Sequence, residues 1–538
     1  MTQIRKPYKL PAGTQTFSKI IEENYIYVDK TKFLVDMIDS GRVYFFFRPR
    51  RFGKSLTCST FEAMFSGQKD LFKGLYAEEF MNRPDYYASP VIRLDMSRVT
   101  TYKDVEGMEY SIIHMLKSIA ESFNIELSEY KQSNVVFDDL IKAIAEKHGS
   151  IVLLLDEYDK PYTDFFTKPE IAEQVRELLR NFYVKIKVND ACFRFVFITG
   201  ISKFTKMGVF SGLNSPIDIS LNENYSEMCG YTQEELETYF SDHLDQTMQK
   251  FQITKDELLA KIKNYYDGFC FDGIHKLYNP FSTLSFFIEK TFANYWMTSG
   301  TTKVIADYLK NKKLTVEEFR EKRITLSFAH DPGEMDSTLP EGFFYQSGYL
   351  SVKRIEGDDF ILDYPNTEVL TSMSRLLAAN IVGNGAMVSF ISDITAYMNN
   401  GSVDAVIDIF NELLAAIPYD DFSKAARQKV LLENLKFPAQ EWLYRSTLLA
   451  FVRGTGLRVQ GEVHNNKGRA DIVMTTYNNL TWIIEIKVAY TSEDVPAKLE
   501  EGKKQFREND YSAPYANPTS IVLVIDDTKR QIVSRDVW

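Results

Sequence analysis

Asp471, Glu485 and Lys487 fall in the spacing D-x13-E-x-K, residue types that can cut a phosphodiester with the help of a divalent cation. Glu485 and Lys487 stand two apart in "TWIIEIKV", so in a strand both project from one face. Charge set among Trp, Ile and Val demands a partner, because unpaired buried charge is costly. Divalent-metal chemistry supplies one. Asp471 and Glu485 offer hard oxygens to Mg²⁺. Lys487 can orient or activate the water that attacks phosphorus, while the metal stabilises the developing charge. ExK strands also occur on solvated sheet faces. The order helix, strand, Asp strand, ExK strand, helix, strand favours the chemistry.

A second constellation lies in "VYFFFRPRRFGKSLTCSTFEAMF", residues 43–65. Arg50, Arg51, Phe52, Gly53, Lys54, Ser55 and Leu56 span a turn from an apolar run into a helical one. Such a turn points backbone N–H groups at phosphates. Lys54 is placed to reach the β/γ-phosphates of ATP and Ser55 to ligate Mg²⁺. The position where this motif normally has its first glycine holds Arg48, which must then adopt whatever turn geometry the loop needs. A solvated basic turn would spell the same letters. "SIVLLLDEYDKP" (150–161) decides between them: Asp156 ends an apolar strand where a Mg²⁺-holding acid belongs, and Glu157 can activate the attacking water. Thr199, in "FRFVFITG" (193–200), is expected to sense the γ-phosphate, with Ser202 the alternative.

These side chains need a frame. Strands are predicted at 43–47, 89–95, 150–161 and 193–200. Helices are predicted in "LTCSTFEAMF", around 104–123, and in "AEQVRELLRNFYVKIK". Continuous apolar strands alternating with helices predict a parallel sheet buried on both faces. Residues 232–320 read as mostly helical. "GYLSVKRIEGDDFILDYPN" (348–366) reads as a β-hairpin around Glu356-Gly357-Asp358, which with its flanking helices makes a winged-helix-like module. Residues 367–435 read as helical. The last unit is a helix (437–456), strands at 457–463, 470–476 and 481–488, a charged helix (495–509) and a strand (520–526). The expected divisions are 1–230, a helical lid over 231–300, a connector over 301–436, and 437–538.

The totals agree with an α/β protein of several domains. The chain has 538 residues, more than one core usually serves. Its 39 Phe and 31 Tyr can build large cores. A net charge of -11 excludes a wholesale nucleic-acid coat, so nucleic-acid contact must use a local patch. Cys58, Cys192, Cys229 and Cys270 are scattered singly, which fits a reducing compartment. No signal peptide or membrane-length apolar run is seen, so the cytoplasm is expected.

The segments "YIYVDKTKFLVDMI", "FFRPRRFGKSL", "LLLDEYDKP", "ITGISKF", "YDGFCFDG" and "NPFS" together resemble the bacterial AAA-ATPase-like family, over roughly residues 7–290. The resemblance implies that RPRRFGKS is the usual form of the loop there, and that Tyr27 to Lys30 lie near the nucleotide base. On the residues alone, "YVDKT" is equally a packed turn at the entrance to the first helix. Residues 437–530 resemble the PD-(D/E)XK nuclease-like domain often fused to that family. This implies a first acid on the opening helix, Glu441, and a helix glutamine, Gln505. Glu462 is a rival third ligand. The family's proline is replaced by Ala470. Lys467, Arg469, Lys503, Lys504 and Arg507 either contact a phosphate backbone or belong to a mixed-charge surface. Arg176 and Arg180 read as a solvated helical face and are assigned no role in trans, and His464 reads as satisfied or solvated.

The expectation is an ATP-binding, ATP-hydrolysing domain controlling a Mg²⁺-dependent phosphodiesterase that acts on nucleic acid, DNA rather than RNA, in defence or DNA processing. Homo-oligomers are possible and no membrane partner is expected. The alternative is a signalling switch whose nuclease fold binds nucleic acid or a partner without cutting.

Overall fold

The apolar runs of the first half become parallel strands. A computed structural model describes residues 9–99, 104–165, 168–203, 216–296, 305, 316–330, 341–382, 393–415, 439–464, 469–476, 478–515 and 517–538. The chain forms two units, 1–299 with 321–368, and 300–320 with 369–538. In the first, β1 (Val43–Phe47), β2 (Val91–Asp95), β3 (Ile151–Asp156), β4 (Phe193–Gly200) and the two-residue β5 (Ile217–Asp218) make one sheet of order β2-β3-β4-β1-β5. Every pairing is parallel. All C-terminal strand ends therefore meet at one edge, where open α/β sheets bind ligands. The strand inserted between β1 and β3 is β4, with Phe46 opposite Thr199 and Leu155 opposite Ile198.

Helices cover this sheet because their apolar residues recur every three or four positions. In Pro169–Val188 the buried set is Ala172, Val175, Leu179, Phe182, Tyr183 and Ile186. Phe182 stacks on Phe137 of the helix Ser133–His148 at 4.5 Å. Further along, Thr232 and Thr254 each close a capping box with Glu235 and Glu257, starting the helices Gln233–Tyr239 and Lys255–Tyr266. Gly268 has φ +98°, and a Cβ there would stand 2.2 Å from the Pro365 carbonyl oxygen, so only glycine fits.

The hairpin is present as β7 (Ser351–Glu356) and β8 (Asp359–Asp363), and an unpredicted β6 (Lys322–Thr325) joins it in the order β6-β8-β7. "KRIT" is too short and charged to announce a strand. The helices Leu326–His330 and Glu341–Gln346 lie between β6 and β7 in the chain. Glu368 follows, fully buried, accepting the Trp296 N–H at 2.7 Å. Burial pushes its carboxyl from 4.5 up to about 7, against the pull of that N–H. A raised acid makes the folded state bind the proton more tightly than the unfolded one. Its contribution is thus full below the unfolded value and is lost as pH rises to about 7, by at most about 1.4 kcal/mol per pH unit. Glu368→Gln is expected to flatten the pH dependence of urea unfolding between pH 5 and pH 8; an unchanged slope would show that Glu368 ionises without penalty.

The second unit holds a five-stranded sheet: β9 (Arg458–His464), β10 (Arg469–Thr475), β11 (Thr481–Ala489), β12 (Thr519–Asp526) and β13 (Gln531–Val537), in the order β13-β12-β11-β10-β9. Only β11 and β12 run parallel. Strand β11 is buried on both faces. Trp482, Ile484, Ile486 and Val488 pack with Tyr444, Leu448 and Val452 of the helix Ala439–Gly454. Ile483 packs with Phe506 of the helix Val495–Asn509 on the other face. The period of two therefore puts Glu485 and Lys487 on the Phe506 side. Of the helical stretch expected over 367–435, Thr367–Val382 and Val403–Ala415 are seen, and residues 416–438 lie outside the described ones. Among the described residues no helix is long and apolar enough to cross a membrane.

Candidate functional site

The turn after β1 is a phosphate-loop shape built with one glycine. Gly53 (φ +109°) is the cap from which the helix Lys54–Phe65 starts, and Arg51 also takes the left-handed conformation, at φ +62°. Lys54 is buried and donates to the Arg48 and Pro49 carbonyls at 2.9 and 3.0 Å, closing the loop on itself. Arg50, Arg51, Phe52, Gly53, Lys54, Ser55 and Leu56 all line one cavity of about 500 Å³, together with Glu157. Tyr27, Val28 and Lys30 line it too, whereas Asp29 does not, and accepts the Thr31 N–H and hydroxyl just before the helix Thr31–Ser40. "YVDKT" thus serves both as cavity wall and as packed turn. That helix is the second, because Phe17–Glu22 precedes it.

Arg48 has no exposed surface. Its guanidinium donates to the carbonyls of Phe47 (2.9 Å), Ser220 (2.7 Å) and Ser226 (3.3 Å) and lies between the Phe46 and Phe271 rings. Burial lowers its pKa to about 10. Arg51 instead lies over the Phe281 ring, 4.3 Å from its centre. Phe52 is clamped edge-on by Phe269 and Phe271. The "FCF" of "YDGFCFDG", which the sequence left without a role, is therefore the floor beneath the loop.

Asp156 ends β3 with 1% exposure, and its Oδ1 has no hydrogen-bond partner among the described residues. Burial pushes its carboxyl up to about 6, opposed by the Ser55 hydroxyl and the Lys54 ammonium. Thr199 is likewise buried, with Oγ1 lacking a partner among the described residues. Two orphaned oxygens at the C-terminal edge of the sheet fit a site for a cation and a phosphate. Ser202, the alternative to Thr199, has its hydroxyl engaged by Gln346. Glu157 sits in the left-handed region at φ +51°, a strained conformation for a residue with a Cβ.

Two residues here were not anticipated. Asp159 accepts the N–H groups of Ile201 and Ser202 (2.9 and 3.1 Å), tying the segment after β3 to the end of β4. Arg93, on β2, donates to the Ser55 carbonyl at 3.3 Å and stands 4.0 Å from Asp156 Oδ2. An arginine inside the apolar "VIRLD" was the available signal. Of the arginines considered for a role in trans, Arg176 is partly buried and pairs with Glu173, whereas Arg180 is exposed.

In the second unit Asp471, Glu485, Lys487 and Gln505 are brought together. Lys487 Nζ donates to Glu485 Oε1 at 3.0 Å and to Gln505 Oε1 at 2.6 Å. Gln505 in turn donates to the Tyr511 hydroxyl at 3.0 Å. Asp471 Oδ2 accepts the Ile486 N–H at 2.8 Å. Burial, reinforced by the Asp471 charge, pushes Glu485 up to about 8, and its Oε2 has no partner among the described residues. Glu441 is near enough that the Lys487 charge offsets part of its burial-driven rise. Among the described residues no three His, Cys, Asp or Glu side chains gather closely enough to hold a metal, so Asp471 and Glu485 stand as a pair. The side chains of Glu462 and His464, and the whole of Lys467, lie outside the described residues. Lys503 pairs with Glu500 and Asp536, and Lys504 with Glu508, which makes that helix a mixed-charge surface. Sequence reasoning passed over Arg445, whose Nη1 lies 3.0 Å from Asp471 Oδ1; on a helix it had no distinguishing pattern.

The sequence is similar to two known families and to one further protein. The family model described as predicted AAA-ATPase matches residues 11–210. That of the PD-(D/E)XK nuclease superfamily matches residues 439–535. The "Uncharacterized protein in vnfD 5'region" of Azotobacter chroococcum mcd 1 is 31% identical over 517 residues, covering 94% of this chain and 93% of the relative. No solved structure matches the chain.

Proposed function

We propose, from the premise that this chain belongs to the AAA-ATPase-like family with a C-terminal PD-(D/E)XK nuclease-superfamily domain, that ATP binding and hydrolysis control a divalent-metal-dependent phosphodiesterase acting on nucleic acid. One observation carries this. Each of the two sites leaves a buried carboxylate oxygen without a partner among the described residues, Asp156 Oδ1 in one and Glu485 Oε2 in the other. Such oxygens suit hard cations.

At the first site Lys54 would leave the Arg48 and Pro49 carbonyls for the β/γ-phosphates. Ser55 and Asp156 would hold Mg²⁺, which neutralises phosphate charge when bound. Arg50 and Arg51 would add positive charge beside the phosphates. Glu157 would take the proton of the attacking water, and Thr199 would contact the γ-phosphate. At the second site Asp471 and Glu485 would hold the cation, with Glu441 a further acid whose charge is felt by Lys487. That cation supplies charge stabilisation at phosphorus. Lys487, steadied by Glu485 and Gln505, would orient or activate the water. DNA is the expected polymer, Mg²⁺ the expected ion, and defence or DNA processing in the cytoplasm the expected setting.

Purified full-length protein is expected to cut DNA only with both ATP and Mg²⁺ present. If linear, supercoiled and single-stranded DNA and RNA all stay intact with ATP and either Mg²⁺ or Mn²⁺, the chain is not a nuclease, and its second unit is a binding module.

A further inference from the structure

Arg445 and Glu441 stand four residues apart on the helix Ala439–Gly454, hence on one face. Arg445 is 5% exposed, and its Nη1 lies 3.0 Å from Asp471 Oδ1. The other oxygen of Asp471 accepts the Ile486 N–H at 2.8 Å. Both oxygens of one expected metal ligand are thus engaged by the protein, one by an amide and one by a full positive charge. Glu485 is in the opposite condition: Lys487 holds Oε1, and Oε2 has no partner among the described residues. The two acids are not equally available to an incoming ion.

We infer that Arg445 is a built-in counter-ion that holds Asp471 in the metal-free site and competes with the divalent cation for it. The inference rests on the metal-dependent function proposed above. Packing Asp471 and Glu485 together would be strongly unfavourable without a nearby cation, and Lys487 contacts only Glu485 of the two. A guanidinium suits the task because it stays charged when buried, where an ammonium readily loses its proton. A metal entering between the carboxylates meets this charge at short range in a poorly screened interior. Arg445 must then yield the Oδ1 lone pair before Asp471 can ligate. Arg445 is therefore a positioning residue that sets the affinity of the site, not a catalytic one.

Calcium binding to the full-length protein, without nucleotide and in an Asp156→Asn background, tests this by calorimetry. Arg445→Gln is expected to tighten Ca²⁺ binding by about tenfold or more, since a competing unit charge is removed. A residue that merely braced Asp471 would give the reverse. Asp471→Asn is expected to abolish binding. Unchanged or weaker Ca²⁺ binding in Arg445→Gln, with wild type binding normally, overturns the role of Arg445 and leaves the metal site standing. If neither protein binds Ca²⁺, the metal-dependent function itself fails. Should Arg445→Gln not fold, Arg445→Lys carries the test: its single-point ammonium grips Asp471 less well, so Ca²⁺ binding tightens by a smaller factor, and no change overturns the inference.

Discussion

Glu485→Gln is expected to lower the proposed divalent-dependent cleavage by about a hundredfold or more while leaving the protein as stable as the parent. The two halves of this expectation have one cause. Burial and the Asp471 charge penalise the ionised form of Glu485 and push its carboxyl up to about 8. The neutral amide avoids the cost of burying that charge, and its oxygen can still accept from Lys487. What it cannot do is offer an anionic oxygen to a cation. Lys487→Ala differs in a telling way. It also loses cleavage, but it strips the donor from Glu485 Oε1 and Gln505 Oε1 at once, and destabilises by about 1–3 kcal/mol. Cleavage rates paired with urea denaturation of both variants check this. Retained cleavage in Glu485→Gln would remove that residue from the metal site.

The second large effect is expected at Glu157. Glu157→Gln lowers ATP turnover by about 10²–10⁴-fold with ATP affinity unchanged, the signature of a lost base. Glu157→Gly is equally inactive but melts no lower than the parent. At φ +51° the side chain is held in a conformation costing about 1–2 kcal/mol, which glycine relieves. Function lost without stability lost would mark strain kept for chemistry. Lys54→Ala contrasts with both: it abolishes ATP binding and also deprives the Arg48 and Pro49 carbonyls of their donor. Steady-state turnover, nucleotide affinity and melting temperature of the three variants separate these effects. Turnover unaffected by Glu157→Gln would remove the residue from its role as base.

The parallel sheet was legible because its strands are buried on both faces, and such strands are written as unbroken apolar runs like "IVLLL". Besides β6, two strands outside that pattern were missed. β13 is an edge strand whose side chains are mostly exposed, and β5 has two residues. Within the sites, Glu485 and Lys487 were singled out because their spacing along one strand implied a shared face. Lys54, Ser55 and Asp156 were singled out because they follow or end apolar runs, and Glu441 and Gln505 through the resemblance alone. Arg445 and Asp159 act across elements. Arg445 on its helix reads like any surface arginine, and Asp159 reads as part of the turn after β3. Only tertiary folding gives the one Asp471 and the other two amides from the end of β4. Arg48 was the hardest to read, because the basic letters around Lys54 suggest phosphate contact while its actual partners lie at Ser220 and Ser226.

Arg48 also constrains how the loop can change over generations. Replacing it by glycine, the residue other phosphate loops have there, would take its donors from the Phe47, Ser220 and Ser226 carbonyls and empty the slot between Phe46 and Phe271. The single step toward the commoner motif is thus a step downhill in fitness, although the destination is a working loop elsewhere. The arginine is held by the segments now packed around it. A descendant carrying glycine at this position is expected to have remodelled the stretch around 220–226 and the "FCF" floor beforehand.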